Sequence, residues 1–76
     1  MKQIKRSDLT RREKEIYDYI LSFKLVNGYA PTISEIAKNL YTSRSFVHEV
    51  IERLEEYQLL KYHPRKPRTI VIQKII

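Results

Sequence analysis

The stretch GYAPTISEIAKNLYTSRSFVHEVIERL, Gly28 to Leu54, decides the fold. Thr32 and Glu35 form a capping box. Side chains at these two places can each satisfy a backbone N–H that a helix start leaves without a partner. Ile33, Ile36, Ala37 and Leu40 follow at helical spacing as the buried stripe of a short helix, which stops after about two turns at Tyr41, Thr42 and Ser43. Thr42 or Ser43 can cap a further helix, in which Val47, Val50, Ile51 and Leu54 recur at threes and fours through to about Tyr57. Two helices joined by a turn of three or four residues, the second opened by small polar side chains, have the layout of a helix-turn-helix. The glycine usual in such a turn is missing.

Upstream, Asp8 or Thr10 can cap a first helix running from about Arg11 to Val26. Ile16, Ile20 and Phe23, with Tyr19 beside them, share its buried face. Gly28, the only glycine, is placed to close that helix in a left-handed conformation. Beyond Gln58 the period changes. Leu59 to Tyr62 and Arg68 to Ile72, the second rich in β-branched residues, read as two short strands. Pro64 and Pro67 keep the loop between them out of a ladder. The fold class expected is mostly α with a small β-hairpin: a three-helix winged helix-turn-helix in a single domain, 1–76. Residues 1–8 form a basic N-terminal arm and 59–73 the wing.

A chain of 76 residues buries only about 60% of its unfolded surface, so the core is thin. The composition, 42% hydrophobic and 32% charged, is nevertheless that of a folded chain. There is no cysteine, and His48 and His63 are the only histidines, so neither a disulfide nor a zinc site is expected. No cofactor is implied. The apolar runs are too short for a bilayer span, which points to a cytoplasmic, nucleoid-associated protein without a membrane partner. Nothing pairs a nucleophile with a base or builds a phosphate loop, so no enzyme is expected.

The net charge of +6 is unevenly placed. Residues 1–12 carry five bases against one acid, and residues 61–76 carry five bases and no acid. Residues 13–60 carry five bases against eight acids. Charge gathered at two ends suggests two contacts with a polyanion such as double-stranded DNA.

In that case the start of the third helix faces base edges, because short or bidentate polar groups there can reach the floor of the major groove. Arg44, Ser45, His48 and Glu49 are so placed. Arg44 can take a guanine edge or a phosphate, His48 can donate, and Glu49 can accept from cytosine or instead pair with Arg53 one turn on. Phe46 is assigned first to the core edge or turn and second to thymine methyls. Glu52, Glu55 and Glu56 would repel phosphate, so only the first two turns are expected to enter the groove. Arg65, Lys66 and Arg68 at the wing tip are expected on phosphate or in a minor groove. Arg11 and Arg12 open the first helix against its dipole, for which phosphate is one reason. Thr32 and Thr42, at the two later helix starts, complete the expected backbone contacts. Lys2, Lys5 and Arg6 belong to an arm lying along the backbone or to a solvating tail.

Leu9-Thr10-Arg11, the long first helix, the segment from Gly28 through Pro31, Thr32, Glu35, Ile36 and Ala37 to Leu40, and Ser43 before a third helix together resemble the N-terminal DNA-binding domain of the LexA repressor family. Its most specific part is G-x-x-P-T-x-x-E-I-A. The resemblance implies three helices and a wing on a DNA half-site, with base-reading residues at Ser43, Ser45, Phe46, His48 and Glu49, and a transcriptional repressor as the function. The chemistry of this recognition helix differs from the family's, so the family's operator is not transferred. Family members continue into a self-cleaving peptidase domain that provides dimerisation, whereas this sequence stops at Ile76. It is read as a naturally short regulator rather than an excised domain, binding as a homodimer on a two-half-site operator and lacking the cleavage switch. The other function class kept open is a winged-helix protein-interaction module, for which the apolar run Ile70 to Ile76 is the motive, with a non-specific DNA-binding accessory protein as a further alternative.

Overall fold

The structure, a computed structural model, describes residues 4–76. A 3-10 turn, Arg6–Asp8, leads into α1 (Arg11–Asn27), α2 (Ile33–Asn39) and α3 (Arg44–Glu56), and then β1 (Leu60–Lys61) and β2 (Val71–Ile72). The strands pair antiparallel with Leu60 opposite Ile72 and Lys61 opposite Val71. This is the winged helix-turn-helix that the periodicity predicts. No helix among the described residues is long and apolar enough to cross a membrane.

Local chemistry sets each boundary. Of the two candidate caps for α1, Thr10 takes the role: its hydroxyl accepts the Glu13 N–H at 3.2 Å and the Glu13 carboxylate accepts the Thr10 N–H at 2.9 Å. Asp8 instead accepts from the Lys5 N–H and closes the 3-10 turn. Gly28 ends α1 at φ 79°, with its N–H on the Lys24 carbonyl at 2.8 Å. That φ suits glycine because a Cβ would crowd the backbone there. Thr32 and Glu35 make the expected capping box on α2. Ser43, not Thr42, caps α3, accepting the Phe46 N–H at 3.1 Å.

The core is one cluster built on Ile16, Tyr17 and Ile20 of α1, Ile33, Ile36 and Ala37 of α2, and Val47, Val50, Ile51 and Leu54 of α3. It is closed by Leu59, Leu60 and Ile70 from the wing. Each fully buried aliphatic side chain contributes about 1.5–3 kcal/mol, which is how so small a chain sustains three helices. The face of α1 is turned from the one expected. Glu13, Ile16, Tyr17 and Ile20 are buried, while Tyr19 and Phe23 sit at the margin with ring centroids 5.9 Å apart. Burial raises the Tyr17 phenol above its ordinary pKa, and its O–H donates to the Lys74 carbonyl, fastening the C-terminal segment to α1.

The basic arm is also different from expectation. Ile4 packs on the core, and Arg6 forks onto both carboxylate oxygens of Asp18 at 2.8 Å. That bond holds the Asp18 carboxyl below its usual range. Residues 4–8 are therefore folded against the domain and are neither a free arm nor a tail, because Asp18 offers Arg6 a bidentate partner. Lys2 lies outside the described residues.

Candidate nucleic-acid interface

A concave groove of about 320 Å³ runs between the start of α2, the first two turns of α3 and the wing loop. Thr32 and Ser34 stand on one side, Arg44 and His48 on the floor, and Tyr62 with Pro64 to Arg68 on the other side. Among the described residues no acidic side chain lines it. The capping box of α2 and the Ser43 cap of α3 aim the two helix starts at this groove, and helix starts carry partial positive charge.

Ser45, His48 and Glu49 are exposed on α3, as expected from its period. His48 lies beside Tyr62 of the wing, with ring centroids 6.0 Å apart, so wing and helix meet at this point. Arg44 reaches toward the Ser34 hydroxyl at 3.5 Å and has no ion pair among the described residues. Ser43 remains exposed while capping its helix. The pairing of Glu49 with Arg53 is not the one formed. Arg53 instead donates to the buried Glu13 at 3.0 Å, which leaves Glu49 without an ion pair among the described residues. Phe46 is half-buried against the core, with the Arg12 guanidinium 5.8 Å from its ring, which is the packing role placed first.

The expected backbone contacts divide into two sets. Arg65 and Lys66 are exposed in the wing loop and have no ion pair among the described residues. Arg11 is 93% exposed and only loosely set, 3.5 Å from Glu15. Thr32 and Thr42 are half-buried beside their helix starts. Arg12 is tied into the domain: it bonds Glu15 at 2.7 Å and the Leu40 carbonyl at 3.4 Å while stacking on Phe46.

Arg68 borders the same groove but is held differently from Arg65 and Lys66. Rather than standing at the tip with Arg65 and Lys66, its guanidinium turns back onto Glu35 at 2.8 and 3.3 Å and onto the Ala30 carbonyl at 3.2 Å. It also lies 4.7 Å from the centroid of the Tyr29 ring. The reason is physical: Glu35 is fixed by its capping bond from the Thr32 N–H, and a preorganised carboxylate attracts a bidentate Arg. The Thr32 N–H first, and Arg68 second, hold the Glu35 carboxyl below its ordinary pKa.

Two features were missed in the sequence. The Thr10-to-Glu13 spacing has the same capping-box signature as Thr32-to-Glu35, so half of the Glu13 environment was legible. Its long-range partner Arg53 had no local signal. Burial pushes the Glu13 carboxyl up, but the bonds from Thr10 and Arg53 together overcome this and leave it below the usual value.

A family model described as the LexA DNA binding domain matches residues 6–69. The chain is 44% identical over 66 residues to the LexA repressor of Staphylococcus haemolyticus (strain JCSC1435). It is 42% identical to that of Staphylococcus epidermidis and 41% identical to that of Staphylococcus aureus (strain N315). Each match covers 86% of this chain but 32% of the relative, so the chain spans about a third of the length of the proteins it resembles.

Proposed function

The chain belongs to the LexA DNA-binding domain family, and from that premise we propose that it is a sequence-specific, double-stranded-DNA-binding transcriptional repressor without catalytic activity of its own. The observation that carries this reading is the acid-free groove shared by the first turns of α3 and the wing loop, lined by Arg44, His48, Arg65 and Lys66. In this reading α3 enters the major groove with Ser45, His48 and Glu49 toward base edges and Arg44 toward a guanine or a phosphate. Ser43 and Phe46 lie at the edge of the contact. Arg65 and Lys66 follow the phosphate backbone or enter the adjoining minor groove, and Arg11, Thr32 and Thr42 supply further backbone contacts. The whole chain acts as one domain in the cytoplasm, on the nucleoid. It binds as a homodimer on two half-sites, since a single module buries only about 600–1,000 Å² on DNA.

Selection from a random duplex pool, followed by titration of the enriched and scrambled duplexes at two salt concentrations, tests this. The expected result is a motif bound about a thousandfold more tightly than scrambled duplex and repeated at one-turn spacing. Weak, uniform and strongly salt-dependent binding would instead mean a non-specific accessory protein.

A second reading has one observation in its favour. Leu21 and Leu25 of α1 with Ile72 and Ile75 line an apolar cleft away from the basic groove, and Leu25 is 87% exposed. If no duplex were bound, a protein-interaction module using that cleft would replace the DNA reading.

A further inference from the structure

The corner between α2 and α3 holds a residue whose conformation and exposure are both unfavourable for the isolated protein. The Leu40 N–H bonds the Ile36 carbonyl at 3.0 Å, and the Thr42 N–H reaches back to the Ala37 carbonyl at 2.9 Å. That six-residue closure forces the residue between them into the left-handed region, where glycine is usual. The residue is Tyr41, at φ 54°. Its side chain is 94% exposed, and it makes no hydrogen bond or ring contact among the described residues. No side-chain contact of Tyr41 among the described residues offsets the strain.

The other two non-glycine residues in this region among the described residues are placed differently. Arg68, at φ 56°, is held by Glu35, the Ala30 carbonyl and Tyr29. Gln58, at φ 62°, is polar and exposed, so it leaves no large apolar surface bare. Among the described residues only Tyr41 combines a strained backbone with an uncovered aromatic ring, and strain of this kind gathers at functional sites.

Its place in the fold suggests the function. Tyr41 sits between Leu40, whose carbonyl receives Arg12, and Thr42 and Ser43, which lead into α3. It therefore stands at the corner from which the recognition helix starts. Resting on the DNA-binding reading above, we propose that Tyr41 is a further DNA-contacting residue, its phenol O–H donating to a phosphate oxygen beside the major groove. Tyrosine is among the side chains that contact phosphate. Because the donor is neutral, the contact releases no condensed cation, and its contribution is independent of salt and of base sequence.

The test uses the full chain with two labelled duplexes, the one enriched by selection and a scrambled one. Tyr41→Phe keeps the ring and the strained backbone and removes only the donor. It is expected to weaken binding to both duplexes about fivefold, the value of one lost hydrogen bond, with an unchanged salt slope. Tyr41→Gly relieves the strain. It is expected to melt about 4 °C higher while binding at least about fivefold more weakly. Tyr41→Phe binding like the wild type overturns the inference while leaving the DNA reading intact. A Tyr41→Gly protein that melts lower removes the strain premise and overturns it too. Wild-type protein that binds neither duplex overturns both readings.

Discussion

Changing Arg68 to Ala separates a structural arginine from a phosphate-binding one. The Arg68–Glu35 pair is partly open to solvent, with side chains 39% and 35% exposed, so its ionic contribution is discounted to about 0.5 kcal/mol. The guanidinium 4.7 Å from the Tyr29 centroid adds about 0.5 kcal/mol, and the bond to the carbonyl of buried Ala30 about 1 kcal/mol. Alanine keeps the left-handed backbone strain at φ 56°, so that cost cancels. The expected loss is about 2 kcal/mol, or about 10 °C in melting temperature for a domain of this size. Thermal melting by circular dichroism measures it, and anisotropy titrations on a scrambled duplex at several salt concentrations measure the binding slope. Arg68→Ala should melt early and bind more weakly at every salt concentration with an unchanged slope, because the wing loses its attachment to α2. Arg65→Ala should melt normally and lower the slope by about 0.9. The Glu35 carboxyl titrates below its ordinary value in the folded state, so the latch contributes above the unfolded pKa and is lost as the pH falls through the folded one. The gap between Arg68→Ala and wild type should therefore narrow in acid by about 0.5 kcal/mol, the contribution of the ion pair, while the contacts with Tyr29 and the Ala30 carbonyl persist. An Arg68→Ala protein that melts like wild type and loses slope as Arg65→Ala does would refute the latch.

Three further outcomes follow from the same geometry. Glu13→Ala strips the Thr10 N–H of its acceptor, parts α1 from Arg53 and leaves a cavity, and should cost about 2 kcal/mol in urea denaturation at neutral pH. The folded Glu13 pKa is depressed, so this difference should shrink as the pH falls through it. Ser45→Ala or His48→Ala should cost about 1–3 kcal/mol on the selected duplex and little on a scrambled one, as competitive titration would show. The wild-type salt slope per subunit should be about −3.6, from about four phosphates met by Arg11, Arg44, Arg65 and Lys66, rather than the about −5.4 expected if Arg12 and Arg68 met phosphate too.

The helical scaffold was legible because its signals are local. Thr32 with Glu35, Gly28 and the stripe from Val47 to Leu54 each act within one or two turns, and all stand where the period puts them. What escaped depends on partners far apart in sequence. The buried face of α1 follows Tyr17 rather than Tyr19 because the Tyr17 hydroxyl finds the Lys74 carbonyl, 57 residues away. A buried phenol needs such a partner, and no pattern within the helix supplies it. Arg68 was read as a tip residue because Arg65, Lys66 and Arg68 look alike in sequence. Only the closing of the wing over α2 brings Arg68, and not its neighbours, to Glu35, 33 residues away.

The same distinction changes what the basic ends of the chain mean. Composition places positive charge at both termini, and counting it suggests two large cationic contacts. Folding assigns part of that charge to the protein itself, Arg6 to Asp18, Arg12 to Glu15 and Arg68 to Glu35, and it pairs Arg53 of the middle stretch with Glu13. Of these four arginines with carboxylate partners, Arg68 alone among the described residues, its bond to Glu35 tying the wing to α2, borders the groove. Those left without such partners, Arg44 and Arg65 with Lys66, line it. Because a paired guanidinium would have to give up its carboxylate before meeting phosphate, the proposed DNA contact is expected to draw its charge from the second set and not from the first. The acidic middle of the sequence therefore does not oppose a polyanion as its net charge suggests. Four of its carboxylates are taken up by arginines of the domain, while Glu52, Glu55 and Glu56 stay on the part of α3 beyond the groove.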